Sequence, residues 1–574
     1  MSKWTRVGLI VGSTSVTSFK FVITELAAKV GDIVATEVTV PTTIEGNTQT
    51  VYVWGRVTGI ERFNPFFPSE AATELVKSTV DIADTPLSTL RDHLVGEVLI
   101  LGRTAADISD TLEISPLTYP VKPSGYVYSP PQNVLHRLLV GNNTDEKRLA
   151  LGNLIGRNDV EVSLSATQVV ARHMAILAMT GGGKTVASRQ IISETAQHGY
   201  PVVIMDPHGD YLGLWEKQKE LLKGTKVRLF YPSIWVSEEN IDTIASLVEK
   251  MGTKLTDAQM PIHHKALYDN EFLSAESAID FLERVSAKLD NWGKDEEKRK
   301  DAGFSERSVW PVRRNIRNVI TKLKRMEENN ARLRELLNDY DFEPMPDPIT
   351  SPEKIVAPNQ ISIFYLSGFD HLAQSTIASI VLENLFEHRA SLQNTIPPYL
   401  AVIEEAHNFI PSRNEGTSET PSLPTIRRMI TEGRKFGTGL LIISQRPSRL
   451  DETTLAMCNT FLVLRLVNPK DKSFVRSVME NLSESDANIL QSFGRGQGLI
   501  SGQAVKFPML VQVNFNPELI SDKIGNEDNF FSQVENFSLS TKQSVKQKND
   551  ERTKDLPDTK KTKHRRKMSQ RSPL

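Results

Sequence analysis

Hydrophobic and polar positions alternate in two different ways along this chain. Up to about residue 135 the apolar positions fall in short runs between turn-forming residues. Runs at 7–11, 18–23, 33–40, 51–60 and 97–101 are rich in β-branched residues, and Gly31-Asp32 and Gly46-Asn47 punctuate them as turns. Short strands at such spacing predict a small barrel or sandwich. A helix-like patch at 71–83 interrupts them. The region carries no catalytic constellation, which suits assembly or the docking of a partner.

Beyond residue 170 the apolar runs are continuous instead. Those at 173–179, 201–206, 361–366, 399–403, 439–444 and 460–467 read as strands buried on both faces. Segments of helical period, such as 186–198 and 374–386, lie between them. Strands alternating with helices predict an α/β fold, a parallel sheet covered on both faces. Residues 235–345 break this rhythm: they are charged and helical in period at 241–251, 275–289, 309–326 and 331–337. The expected organisation is an N-terminal β-barrel at 1–135 and a connector at 136–170. The α/β core follows at 171–234 and 346–515, with a helical insertion at 235–345. A C-terminal extension at 516–537 and a basic tail at 538–574 complete the chain.

Composition narrows the class. No run approaches the roughly 18 apolar residues of a membrane span, and the N-terminus has no signal-peptide layout. A cytoplasmic location without membrane contact is the expectation. The single cysteine, Cys458, excludes an intramolecular disulfide and a cysteine-built metal site. From residue 539 onward twelve Lys and Arg face four Asp and Glu, so the net charge of −2 conceals an acidic body and a basic tail. That tail has too few large apolar residues to offset its ordering entropy and is expected to be disordered. Its cluster at 560–567 suits nucleic acid or an acidic partner, or only solubilises the chain. A second basic stretch, from Arg313 to Arg325, reads either as a solvated helix face or as a nucleic-acid contact.

The candidate chemistry centres on Ala178-Met179-Thr180-Gly181-Gly182-Gly183-Lys184-Thr185. A strand, a Gly-rich loop and a helix in succession form the context in which such a pattern cradles phosphates. Backbone N–H groups turn inward and the helix N-terminus adds its dipole. Residues Thr180, Gly181, Gly182, Gly183, Lys184, Thr185 and Val186 are assigned to ATP. Lys184 reaches the β- and γ-phosphates, and the Thr185 hydroxyl ligates Mg2+. Alanine stands at 178, where the pattern asks for glycine; this is tolerable if that position does not need positive φ.

An NTPase also needs carboxylates. Glu404-Glu405 closes the apolar run 399–403. Adjacent strand residues point to opposite sides, so the two carboxylates are expected to divide the work, Glu404 to Mg2+ and Glu405 to the attacking water. Gln445 ends the next apolar run and can report the γ-phosphate. Arg434 precedes that run and is a candidate arginine finger, with Arg427 and Arg428 as rivals. Asp206 and Asp210, in Asp206-Pro207-His208-Gly209-Asp210-Tyr211, could support Mg2+ or merely cap a turn.

The segments RHMAILAMTGGGKT, IMDPHGDY, VIEEAHNF, EGRKFGTGLLIISQRPSRL and CNTFLVLRLVNP, in that order, resemble the HerA branch of the HerA/FtsK ATPases. Ala178 and Glu404 depart from the family pattern. The resemblance implies a RecA-like P-loop NTPase core and a homo-hexameric ring around double-stranded DNA. It also implies ATP between subunits, with Arg434 reaching across, Lys435 assisting, and Arg172 as a further arginine near the nucleotide. Relatives of this kind work with a nuclease, or with a sirtuin-like or other effector in defence against phage. The expected function is therefore a DNA-translocating ATPase acting in end processing or defence. An ATP-regulated ring scaffold for an effector enzyme is the alternative.

Overall fold

The computed structural model describes residues 4–24, 27–41, 48–64, 92–105, 112–141, 147–236, 241–268, 275, 277–391, 395–412, 420–479, 482–521 and 534. The helix-like patch at 71–83, the turn at Gly46-Asn47, the basic tail and most of the 516–537 extension lie outside these. The chain divides into Met1–Ile520 and Ser521–Leu574.

Six strands close the N-terminal barrel: β1 (Thr5–Val11), β2 (Ser18–Ile23), β3 (Ile33–Pro41), β4 (Thr48–Phe63), β5 (His93–Ala105) and β6 (Tyr126–Ser129), in the order β1-β2-β5-β4-β3-β6. The two-residue side-chain period of a strand explains it. On β2, Phe19, Phe21 and Ile23 point inward and meet Val34, Val53 and Val98. Gly31 supplies the positive φ of the expected turn. Arg56 of β4 is wholly buried and donates to the carboxylate of Asp486, 2.7 Å away in the helix Glu484–Ile489, a long-range ion pair between barrel and core.

Residues 136–170 differ from the expected connector. They hold the end of α1 (Gln132–Val140), the strands β7 (Arg148–Leu154) and β8 (Arg157–Ser165), and most of α2 (Ala166–Arg172). Leu149, Leu151, Leu154, Val160, Val162 and Leu164 are all buried. The connection Ile155-Gly156, with Gly156 at positive φ, makes β7 and β8 an antiparallel hairpin. The hairpin extends the core sheet.

That sheet has twelve strands. After β9 (Met174–Leu177) come α3 (Lys184–Gln197), β10 (Val202–Asp206), α4 (Leu212–Glu216), α5 (Gln218–Leu221) and β11 (Lys226–Tyr231). The insertion follows as α6 (Ile241–Met251), α7 (Met260–Leu267), α8 (Ala278–Lys294), α9 (Glu296–Ala302) and α10 (Glu306–Leu336). Then come β12 (Phe342–Pro344), β13 (Gln360–Tyr365), α11 (His371–Ala390), β14 (Tyr399–Ile403), α12 (Ser422–Phe436), β15 (Thr438–Ser444), β16 (Thr460–Leu464), β17 (Gln497–Gly502) and β18 (Met509–Val513). The spatial order is β12-β11-β13-β10-β14-β15-β9-β16-β17-β18-β7-β8. Strands β12 to β16 run parallel and the last four are antiparallel. The expected parallel sheet is thus two-thirds of the whole.

In the insertion, Phe281, Leu282, Val285 and Leu289 of α8 pack with Val309, Val312, Ile316 and Val319 of α10, in one core continuous with the sheet. The helices expected at 309–326 and 331–337 are one. Its polar run is held from outside, where Asn329 donates to the Gly368 carbonyl and Asn330 to that of Pro232. Half of the basic stretch is engaged within the insertion. Arg313 pairs with Asp290, Lys324 with Glu283, and Lys322 donates to the Met251 carbonyl.

Candidate active site

Strand β9 is buried along its length and delivers the phosphate loop to the carboxyl rim of the sheet. Gly181 and Gly183 take positive φ, whereas Ala178 does not. Ala178 is buried against its neighbours with its N–H donated to the Ser444 carbonyl, so the alanine fits without strain. Gly183 has no such latitude, because a Cβ there would meet the Gly496 nitrogen at 2.9 Å. Helix α3 starts at Lys184 and aims its free N–H groups back over the loop.

Lys184 is buried. Its ammonium donates to the carboxylates of both Glu404 and Glu405, the latter at 2.8 Å. Burial alone would lower this ammonium, but the two negative charges outweigh it and hold it above its ordinary value. The expected division of the carboxylates to opposite sides is therefore corrected. Strand β14 ends at Ile403, and Glu405 sits at φ 48° and ψ 49° in the left-handed region. The chain has left the pleat, and both side chains turn toward Lys184. A non-glycine residue in that conformation carries strain of the kind found at functional sites.

The two carboxylates are nevertheless distinct. Glu404 is sealed from solvent and accepts a hydrogen bond of 2.5 Å from the Tyr211 hydroxyl, which lies 2.8 Å from Ser188 Oγ. Burial pushes Glu404 up, with Lys184 opposing. Burial also works to raise Glu405, yet His407 and Lys184 pull it down to about 2. Its Oε2 is 3.3 Å from His407 Nδ1 without hydrogen-bond geometry.

Strand β15 lies between β9 and β14, so the phosphate loop and the carboxylates are not on adjacent strands. Gln445, just past β15, fills that interval and accepts a 2.6 Å hydrogen bond from the Thr180 hydroxyl. Asp206 caps a turn: its carboxylate accepts the N–H groups of His208, Gly209, Asp210 and Tyr211. Burial and the charge of Asp210 raise it to about 7. The turn's work is to present Tyr211 to Glu404.

Arg434 and Lys435 occupy the last turn of α12, ahead of β15, and Arg172 ends α2, ahead of β9. All three therefore lie at the amino rim. The seven residues of β15 span about 3.3 Å each, which separates them from the phosphate loop of their own chain. His173 joins this rim together. It sits at φ 55°, its Nδ1 accepts the Leu440 N–H at 3.1 Å, and burial holds it at about 4 and hence neutral. Of the rival arginines, Arg427 is paired with Asp451 and Arg428 with Glu387 and Glu432. Arg434 and Lys435 are exposed and form no ion pair among the described residues.

Tyr211, Ser188 and His407 had no place among the sequence-derived candidates. Tyr211 and His407 do lie inside quoted motifs, and a tyrosine closing a turn at a strand tip was the available signal.

Residues 149–385 match the family described as helicase HerA, central domain. The chain is 27% identical over 566 residues to the DNA double-strand break repair helicase HerA of Pyrococcus furiosus, covering 90% of this chain and 94% of that one. It is 26% identical over 456 residues to a probable DNA double-strand break repair helicase HerA of Methanocaldococcus jannaschii, covering 74% and 86%. A solved structure of the bacterial conjugative coupling protein TrwBdeltaN70 overlaps 69% of this chain and 95% of its own at 14% identity and a TM-score of 0.42. In its ordered motifs, its phosphate loop on a mixed sheet and its match over residues 149–385, the chain is similar to the HerA-type P-loop ATPases.

Proposed function

We propose that this chain is one subunit of a hexameric ring that hydrolyses ATP to translocate double-stranded DNA. The observation that carries the reading is the separation of the two rims. The phosphate loop and its carboxylates crowd the carboxyl rim, while Arg172, Arg434 and Lys435 gather at the amino rim, out of reach of their own site. A complete site needs the amino rim of a neighbouring copy. The name of the Pyrococcus furiosus relative, a DNA double-strand break repair helicase, supports DNA as the track.

The residues present fit Mg2+. This ion keeps several waters and takes one or two side-chain oxygens plus substrate phosphates. The Thr185 hydroxyl and Glu404 offer that set, and no cluster of three or more His, Cys, Asp or Glu among the described residues suggests an all-protein cage. Held by Thr185 and Glu404, a bound Mg2+ would supply charge neutralisation to the nucleotide's phosphates. Lys184 exchanges its carboxylate partners for the β- and γ-phosphates. Released from Lys184, Glu405 regains basicity, orients the attacking water and accepts its proton. Gln445, tethered to Thr180, meets the γ-phosphate. Arg434 of the adjacent copy, with Lys435 and Arg172 nearby, stabilises charge in transfer. We assign the ring to DNA end processing or anti-phage defence, with a nuclease or a sirtuin-like or other effector docked on it.

The test is steady-state ATP hydrolysis with and without duplex DNA, with particle mass read by light scattering on the same sample. A ring-sized particle whose hydrolysis rises with DNA is expected. A ring indifferent to DNA would overturn translocation in favour of a scaffold that assembles an effector enzyme.

A further inference from the structure

A cleft of about 230 Å3 opens beside the phosphate loop, lined by Gly183, Val186, Arg495, Gly496, Gln512, Val513 and Phe515. Its position follows from helix geometry. Gly183 and Val186 are three apart and share one face of the start of α3. Lys184 is about 100° further round the axis and points to Glu404 and Glu405. The cleft therefore lies on a different side of the helix start from the carboxylates.

Its far wall is pinned to the loop. The Gly496 N–H donates to the Gly182 carbonyl at 3.1 Å, and the Val513 N–H donates to the Gly496 carbonyl at 2.9 Å. The outer wall is Phe515, two residues past β18. It is 58% exposed, a large aromatic with no packing role equal to its size. The cleft is smaller than the roughly 300–1,000 Å3 of pockets that enclose whole ligands, so it takes only part of a nucleotide.

We infer that this cleft is the nucleobase slot of the ATPase site, with the base stacked on Phe515 and bounded by Val186, Val513 and the backbone of Gly183 and Gly496. This rests on the ATPase reading and adds the recognition of the base. It carries a statement about specificity. Strong discrimination between bases needs buried polar groups that the wrong base leaves unpaired. Here the polar lining is Arg495, which is exposed, and Gln512, which is half-buried and held only by 3.4 Å contacts to the Arg495 and Val513 carbonyls. The slot recognises the presence of a base by stacking and is nearly indifferent to which purine it holds.

The experiment compares KM and kcat for ATP and GTP, and inhibition by inorganic tripolyphosphate, in the full-length protein and in Phe515→Ala and Phe515→Tyr. Tripolyphosphate fills the loop but has no base. Phe515→Ala should raise KM for ATP and GTP alike by roughly ten- to a hundredfold. Its kcat and its tripolyphosphate inhibition should be unmoved, and Phe515→Tyr should restore KM. An unchanged KM in Phe515→Ala would overturn the slot, as would equal loss of tripolyphosphate binding. A fall in particle mass in that variant would overturn it too, by assigning Phe515 to a subunit contact. A preference of the unaltered protein for one purine beyond about a hundredfold would overturn the indifference. A protein that binds neither ATP nor tripolyphosphate would sink the ATPase reading itself, a separate failure.

Discussion

The two rims of the core sheet reach opposite electrostatic states. At the carboxyl rim Lys184 is buried with Glu404 and Glu405, and Tyr211, Ser188 and His407 complete a network with little solvent contact. At the amino rim Arg434 and Lys435 stand in water without ion-pair partners among the described residues. The buried titratable group there, His173, is neutral. Buried charges must be paired at once, whereas exposed ones can wait. One rim is therefore satisfied within the chain, whereas the other leaves its cations in solvent, as the proposed site shared between copies would need.

The sharpest way to break this comparison is to disable one rim at a time. Lys184→Ala should abolish nucleotide binding and leave no turnover above background. Arg434→Ala should keep binding and lose turnover by about 10^3-fold or more. Mixing the two proteins should recover part of the activity, because one supplies loops and the other arginines. A mixture no more active than its components would show that the rims do not meet across copies.

Glu405→Gln should come next, lowering turnover by about 10^2- to 10^4-fold while nucleotide binding survives. Normal turnover in a single-turnover assay would remove Glu405 from the water and leave it a partner of Lys184 only.

Acid should unfasten the rims in sequence. Unfolded, His173 takes a proton at its ordinary 6.5, whereas burial holds the folded residue at about 4. The native state then binds fewer protons, so stability falls as pH drops from 6.5 to 4, by on the order of 3 kcal/mol for the full shift. Buried His263 adds a parallel loss, its value also lowered to about 4. Glu405, depressed from 4.5 to about 2, contributes stability that is lost only below 4.5. Asp206, raised to about 7, takes up its proton in the folded state over the same window and offsets part of this loss, so the test compares urea midpoints from pH 7 to 3 in the unaltered protein and in a His173 variant. His173→Asn, which tolerates the left-handed backbone, should flatten part of that fall; an unaltered slope would exclude His173 as its source.

The smallest effect belongs to Tyr211→Phe, which removes one hydrogen bond to Glu404 and leaves the packing intact. A loss of about 1.5–3 kcal/mol is expected, since the acceptor is a charged group. Read as Mg2+ dependence of turnover, it should shift the half-saturating Mg2+ concentration with little change at excess. No shift would mean that Tyr211 does not position Glu404.

Much of this was legible in the chain. Continuous apolar runs located β9, β10, β13, β14, β15 and β16, because strands buried on both faces have no polar side to interrupt the pattern. Short β-branched runs between turn residues located the barrel strands. The phosphate loop, Glu404, Glu405 and Gln445 follow from polar residues at strand ends. The antiparallel hairpin of β7 and β8 was less visible, since a two-residue turn at Ile155-Gly156 resembles any loop until its partner strand is known. The insertion's long α10 was split by a polar run whose partners, Pro232 and Gly368, are distant in sequence.

Local pattern by itself determined which elements form and which residues stand at their tips, because strand and helix periodicity record burial within a few residues. Tertiary structure alone decided the rest. It decided that β15 separates the loop from the carboxylates and that Glu405 turns back toward Lys184. It decided that Tyr211, 193 residues before Glu404, is its hydrogen-bond partner. It also decided that Arg434 and Arg172 share a rim facing away from their own phosphate loop. Those outcomes depend on strand order and on a single backbone reversal, and neither leaves a periodic trace in the chain.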